Sequence, residues 1–236
     1  MLLLLLLSCQ LLQSQALPCP TPFTMQAGLC LFVSTAHSHS WCSANRQCAS
    51  IGGELVNSHG SILALNRSGI SSSCGCDLWL GLSDLADERN RSRAGWQRVN
   101  GNGFASPESL FPSNEPSGLA VENCIRMNEL GLLKDTNCKL NFGFACEYKD
   151  PSADPRFAKW KKVSFKRAIY NSEYCFTDVP NVSSAVECVA AAMIYGSCRH
   201  VLYNSKLRAC RLLLFTDAQV EAEIETSADW VKFYLV

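Results

Sequence analysis

Trp41-Cys42-Ser43-Ala44-Asn45-Arg46-Gln47-Cys48, running on through Ala49-Ser50-Ile51 into Gly52-Gly53-Glu54-Leu55-Val56, carries the reading of the fold. Trp41, Ala44, Cys48 and Ile51 recur at intervals of three and four, so they share one face of a helix. Ser40 is a residue type that caps a helix, its hydroxyl accepting from an early backbone N–H, and Gly52-Gly53 ends the run. Ile62, Leu63 and Leu65, after Ser61, predict a second short helix. From Leu78 onward the texture changes. Leu78-Trp79-Leu80, Gly95-Trp96-Gln97-Arg98-Val99, Cys124-Ile125-Arg126-Met127 and Phe142-Gly143-Phe144-Ala145-Cys146 are short apolar runs between clusters of Gly, Asn, Ser and Pro, which is the pattern of strands and loops. Two early helices and a strand-rich remainder predict an α+β fold. The stretch from Asp84 to Glu122 has few core residues and reads largely as loop, and long ordered loops are usually functional or stapled.

The composition, 47% hydrophobic and 18% charged over 236 residues, is that of a globular protein and leaves room for two domains. Lys+Arg and Asp+Glu both number 21, so there is no global basic field to attract nucleic acid. Fourteen cysteines point to an oxidising compartment. The leucine run that begins at Met1 and ends at Leu12 is too short to span a bilayer, and Ser14-Gln15-Ala16 offers small residues for signal-peptidase cleavage. The expectation is a signal peptide over 1–16, although no positive charge precedes the run, and a secreted, extracellular protein. Removal of Cys9 with that peptide would leave an odd cysteine, either free or joined to another chain as a disulfide-linked oligomer. Asn66-Arg67-Ser68, Asn90-Arg91-Ser92 and Asn181-Val182-Ser183 are acceptor tripeptides for N-glycosylation. The polar, proline-bearing Asp150-Pro151-Ser152-Ala153-Asp154-Pro155 reads as a linker, dividing the chain into 17–149, a linker at 150–160, and 161–236.

Several of these segments together resemble the C-type lectin-like domain over residues 19–149. Trp41 to Val56 is similar to that family's first helix and its exit. Leu78-Trp79-Leu80-Gly81-Leu82 resembles its central strand, and Gly95-Trp96-Gln97-Arg98-Val99-Asn100-Gly101 its Trp-containing hairpin. Glu115-Pro116-Ser117 resembles its sugar-selecting loop, and Cys124, Cys138 and Cys146 have the spacing of its last framework cysteines. The resemblance implies the pairs Cys48–Cys146 and Cys124–Cys138, with Cys19–Cys30 as an N-terminal extra. Cys42, Cys74 and Cys76 are left over. The expectation is that Cys42 bridges one of the other two and that the third serves an intermolecular disulfide.

Members of this family bind sugars through a Ca2+ ion, which takes six to eight oxygen ligands. By position, the resemblance implies Glu115, Glu122 and Asp135 as its carboxylates, with Pro116 following a cis bond. Ser117 and Lys134 occupy two further ligand positions where an amide is expected. A hydroxyl is a shorter-reaching ligand than an amide, and an ammonium donates three hydrogen bonds and accepts none. Lys134 could pair with Glu115 or Glu122 and hold the loop without metal. The expectation is therefore a degraded, calcium-independent site with no cofactor. Binding would be to glycans or glycoproteins, weakly or without calcium. A protein-binding module on the same scaffold is the alternative, since a fold does not fix a function. The blandest reading makes the loop a solvated charged surface.

In the second part, Arg156, Lys159, Lys161, Lys162, Lys166 and Arg167 fall within twelve residues free of acids. They suit a polyanion such as heparin, but a linker followed by an exposed edge strand accounts for them more simply. Ser184 and Glu187 have capping-box spacing, which starts a helix through Cys188 and the alanines that follow. Cys198 to Tyr203, Ala209 to Leu214 and Trp230 to Leu235 read as strands, with Lys206 in the turn between the first two. The helix cysteine, the Cys-x-x-x-x-Tyr-Asn and the Cys-x-Leu resemble the PAN/apple family over residues 164–236, whose theme is protein or carbohydrate binding. Its four cysteines are expected to pair as Cys188–Cys198 and Cys175–Cys210, with Cys188–Cys210 and Cys175–Cys198 left open.

Nothing in the sequence points to catalysis. The four histidines, His37, His39, His59 and His200, lie outside metal-ligand motifs, and His37-Ser38-His39 reads as a surface loop before the first helix. There is no Gly-x-Ser-x-Gly elbow and no phosphate-binding glycine loop. The expected role is recognition, in defence or in adhesion.

Overall fold

A computed structural model describes residues 18–83, 96–98, 110–119, 121–149, 160–164, 176–195, 200–213 and 230–235. Its elements, numbered among these residues, begin with strands β1 (Thr24–Gln26) and β2 (Leu29–His39), helix α1 (Trp41–Ser50) and strand β3 (Gly53–Leu55). Helices α2 (His59–Ser68) and α3 (Ile70–Cys74) follow, then strands β4 (Leu78–Ser83), β5 (Gln97–Arg98), β6 (Cys124–Met127), β7 (Leu133–Thr136) and β8 (Phe142–Tyr148). They form a mixed sheet in the order β1-β2-β8-β4-β6-β7, with β3 also on β8 and β5 also on β4. The β4–β8 pairing is parallel and the others are antiparallel.

The first helix forms as its spacing predicts. Ser40 caps it by accepting from the Ser43 N–H, and Trp41, Ala44 and Cys48 are buried. Two indoles tie this region to β4: Trp41 Nε1 donates to the Leu80 carbonyl at 2.6 Å, and Trp79 Nε1 donates to the His39 carbonyl at 2.8 Å. Every residue of β4 is buried, because β8 and β6 flank it and its two faces meet separate apolar clusters. Burial of each such large side chain is worth about 1.5–3 kcal/mol. Gly81 has no alternative there, since a Cβ would lie 2.6 Å from the Leu55 carbonyl oxygen. The second helix starts earlier than its apolar residues suggest. Its cap is Ser58, which accepts from the Ser61 N–H. His37-Ser38-His39 is the end of β2 rather than a loop, and the His39 ring packs edge-on against Phe144 with centroids 4.9 Å apart.

Cys19–Cys30, Cys48–Cys146 and Cys124–Cys138 are bonded. Cys48–Cys146 joins α1 to β8 across 98 residues of sequence. Closing a loop of that length is worth about 4–5 kcal/mol in the chain-entropy model. Two expected pairings are corrected. Cys74 and Cys76 bond each other, and Cys42 is disulfide-bonded to neither of them. Both cysteines sit at one helix end, where Gly75 adopts φ 58° and turns the chain back. In the second part Cys188 pairs with Cys210, not Cys198. Cys210 faces Tyr203 across adjacent strands, directly beneath the helix that carries Cys188. Cys175 and Cys198 lie outside the described residues, as do the signal peptide, residues 150–159 of the linker, and Asn90.

The second part is a five-stranded antiparallel sheet carrying one helix. Its strands are β9 (Trp160–Ser164), β10 (Phe176–Val179), β11 (His200–Asn204), β12 (Ala209–Leu213) and β13 (Trp230–Leu235), in the order β10-β12-β11-β13-β9. Helix α4 (Ala185–Tyr195) begins where the capping residues predict, with the Ser184 hydroxyl accepting from the Glu187 N–H at 3.2 Å. The Glu187 carboxylate accepts from the Ser183 N–H and hydroxyl, and these bonds, with a smaller contribution from the Ser184 N–H, hold it below the usual carboxylate range. Lys161 and Lys162 of the basic run lie on β9, an edge strand, while Arg156, Lys159, Lys166 and Arg167 lie outside the described residues. Leu202 and Leu213 belong to the same buried cluster as Trp41 and Cys48, so the two parts share apolar packing. No helix among the described residues is long and apolar enough to cross a membrane.

Candidate functional site

Strand β7, at one edge of the larger sheet, carries Lys134 and Asp135 of the candidate site, and Glu115, Pro116, Ser117 and Glu122 come from the segments on either side of residue 120. Register fixes the strand half: Asp135 faces Ile125 and Lys134 faces Arg126 across the β6–β7 pairing. In the loop the Glu115–Pro116 bond is cis, and the Glu115 N–H donates to the Pro112 carbonyl at 3.0 Å.

Five side chains converge here. Lys134 Nζ lies 3.0 Å from Glu115 Oε1. The Ser117 and Gly118 backbone N–H groups each donate to one oxygen of Asp135, both at 2.8 Å. The Ser117 hydroxyl donates to Glu122 Oε2, and the Glu122 N–H is held by the Leu119 carbonyl at 2.8 Å. All six residues carried over from the family pattern, Glu115, Pro116, Ser117, Glu122, Lys134 and Asp135, therefore belong to one connected group. Glu115 is 5% exposed and Asp135 3%, so the loop is more than a solvated charged surface. A buried carboxylate needs hydrogen bonds or a counter-charge to stay there.

The electrostatics are unequal. The Glu115 carboxyl is raised to about 7, by burial first and then by its hydrogen bond with Asp135, with the Lys134 ammonium opposing both. The Lys134 side chain is 39% exposed, so the site shows solvent one partly accessible cation. Leu119 and Val121, 53% and 52% exposed, lie between Ser117 and Glu122 in sequence and add apolar surface to a polar loop.

Beneath this loop lies a support that the sequence reading did not single out. Arg126 is paired with Asp77, donates through Nε to Thr136 Oγ1 at 2.9 Å, and lies over the Phe142 ring at 4.9 Å from its centroid. It anchors the residue next to Asp135. Its position opposite Lys134 could have been found only from the strand register. On another face, the Asn66 amide donates to the Gly131 carbonyl at 2.8 Å and is half-buried, whereas Asn181 is exposed. Of the two described acceptor asparagines, Asn181 alone projects freely to solvent.

A calcium ion fits this arrangement poorly. Asp135 already accepts two backbone N–H groups, Ser117 is turned onto Glu122, and an ammonium stands against Glu115. Among the described residues, no three His, Cys, Asp or Glu side chains form a group able to hold a metal ion.

No protein-family model matches the chain. No curated protein matches it either. Among solved structures, the chain is similar to a calcium-independent type II antifreeze protein, at 20% identity over 57% of this chain and 96% of that one, with a TM-score of 0.45. It is also similar to the C-type lectin domain of murine dendritic cell inhibitory receptor 2, a structure in complex with N-glycan, at 20% identity over 56% of this chain and 99% of that one, with a TM-score of 0.46. Human lithostathine is a third, at 20% identity over 56% of this chain and all of the other, with a TM-score of 0.43.

Proposed function

We propose that the chain is a secreted recognition protein whose residues 17–149 form a C-type lectin-like domain and bind glycans without calcium through the loop around Glu115. The observation that carries this reading is the Lys134–Glu115 ion pair, an internal cation standing where the family pattern calls for a bound one. The paired framework cysteines support the domain assignment. The 161–236 part is proposed as a PAN/apple-like binding domain, supported by a helix cysteine bonded to the strand beneath it. Its Tyr203 hydroxyl donates to the Ser183 carbonyl at 2.8 Å, fixing the helix start against the sheet.

The half-exposed ammonium and the neighbouring Ser117 hydroxyl suit sugar hydroxyls or a glycan carboxylate, and the exposed Leu119 and Val121 suit the apolar face of a sugar ring. The same apolar pair favours a second reading, a protein partner on this surface. A glycan array with and without chelator tests the proposal. Glycan binding that survives chelation supports it. Binding of a simple sugar that chelator abolishes overturns the role given to Lys134, and the absence of glycan binding transfers the surface to the protein-partner reading. A paired variant, Ser117→Asn with Lys134→Asn, should gain a thermal shift on Ca2+ addition that the parent lacks.

A further inference from the structure

We propose that the Cys74–Cys76 disulfide is a thiol–disulfide exchange site, which takes up a small thiol of the glutathione type at Cys74. The bridge closes around a single glycine, with a sequence separation of 2. The other bridges among the described residues span 98, 22, 14 and 11. The constraint that a cross-link puts on the unfolded chain grows with the loop it encloses, so this bridge contributes least to holding the protein folded.

The segment around it keeps its seat without the S–S bond. The Cys76 N–H donates to the Ser71 carbonyl at 3.1 Å, the Ser71 hydroxyl donates to the Cys76 carbonyl at 2.9 Å, and the Ser72 hydroxyl donates to the Glu129 carbonyl at 2.8 Å. The two cysteines also differ in access. Cys74 is exposed at the end of α3, whereas Cys76 is 3% exposed and packs in the apolar cluster with Leu78 and Leu80. Exchange needs a thiolate to reach a sulfur, and only Cys74 is open to it.

The incoming thiolate bonds Cys74 Sγ, the Cys74–Cys76 bond breaks, and its electron pair leaves on Cys76 Sγ. That thiolate takes a proton from water, since apolar surroundings favour the thiol. A second thiol molecule can then attack the mixed disulfide. The protein is left with two thiols and the reagent with one disulfide, so the bridge is reduced by two electrons and two thiols are oxidised.

The test uses the full oxidised chain, held native in a graded series of reduced and oxidised glutathione, quenched in acid, alkylated and mapped by peptide mass spectrometry. The Cys74–Cys76 bridge should open at a reduced-to-oxidised ratio about ten-fold or more below the four other bridges among the described residues. In Cys76→Ser the glutathione adduct should appear on Cys74, and in Cys74→Ser no adduct should form on Cys76 under native conditions. Opening of Cys74–Cys76 together with Cys48–Cys146, or an adduct that prefers Cys76 in the native chain, overturns the proposal. The redox series needs no variant, so a misfolded variant leaves the test standing.

Discussion

Replacing Lys134 by Met keeps the stem of the side chain and removes its charge, and the cost should depend on pH. Glu115 is buried and loses its counter-charge, with Asp135 beside it and no solvent to take over. Breaking a fully buried ion pair costs about 3–5 kcal/mol. Lys134 is 39% exposed, which brings the expected cost down to about 2–3 kcal/mol once Glu115 is ionised. The Glu115 carboxyl titrates near 7, so at pH 8.5 the full cost applies. At pH 5 the carboxyl is protonated, there is little charge to abandon, and the cost falls to about 0.5 kcal/mol or less. For a chain of this size each kcal/mol lowers Tm by roughly 2–4 °C. The variant should therefore melt about 4–12 °C below the parent at pH 8.5 and within about 2 °C of it at pH 5. The parent has its own trend from this group. A carboxyl raised above its unfolded value contributes stability that is fully present below about 4.5 and lost as pH rises through about 7. Differential scanning calorimetry of both proteins at the two pH values decides the matter. Equal losses at both pH values, or no loss at pH 8.5, refute the reasoning. The further change Glu115→Gln should erase most of the penalty, because an amide does not need the ammonium.

Ser117→Ala removes the hydroxyl bond to Glu122 but keeps the backbone donor to Asp135, and should cost about 1 kcal/mol in urea unfolding. Asp135→Asn replaces an acceptor of two N–H bonds by a group that can turn an NH2 toward one of them, and should cost about 2 kcal/mol and speed proteolysis within 110–119. Gly81→Ala drives a Cβ into the Leu55 carbonyl and should cost about 2 kcal/mol or more, read as a lowered Tm. Tyr203→Phe loses one bond at the foot of α4 and should cost about 1 kcal/mol, read as a lowered Tm.

The helices and the central strand were legible in the sequence because each carries a strong local signal: a serine cap and a three-four stripe in α1, and an unbroken apolar run in β4. Strand β2 was not. Its second half, Ser34-Thr35-Ala36-His37-Ser38-His39, is mostly polar and exposed from Thr35 to Ser38, and becomes a strand by pairing with β8, more than a hundred residues away in sequence. The short strands β3 and β7 were missed for the same reason, since register on a distant partner defines them. In the site, the identities of Glu115, Ser117, Glu122, Lys134 and Asp135 were readable from position, and so was the idea that Lys134 meets a carboxylate. The burial of Glu115 was not readable, nor was the support from Arg126, because both depend on what lies across the sheet. The Cys188 pairing failed on the same ground. Four cysteines have three connectivities, and only the placement of α4 over β12 selects one.

The two long strands β2 and β8 of the larger sheet lie side by side and run in opposite directions, with Leu31 opposite Glu147. A chain pulled by its two ends would open this pair from one end, bond by bond, the weakest way to load a sheet. On the β8 side such peeling would stop almost at once, at Cys146. There the covalent link to Cys48 takes the tension and passes it to α1. Everything between those two cysteines, including the loop around Glu115 and the strand bearing Lys134, then lies outside the line of force. A protein anchored at one end and tugged through the other could peel β2 from β8 and still keep the loop around Glu115 undistorted.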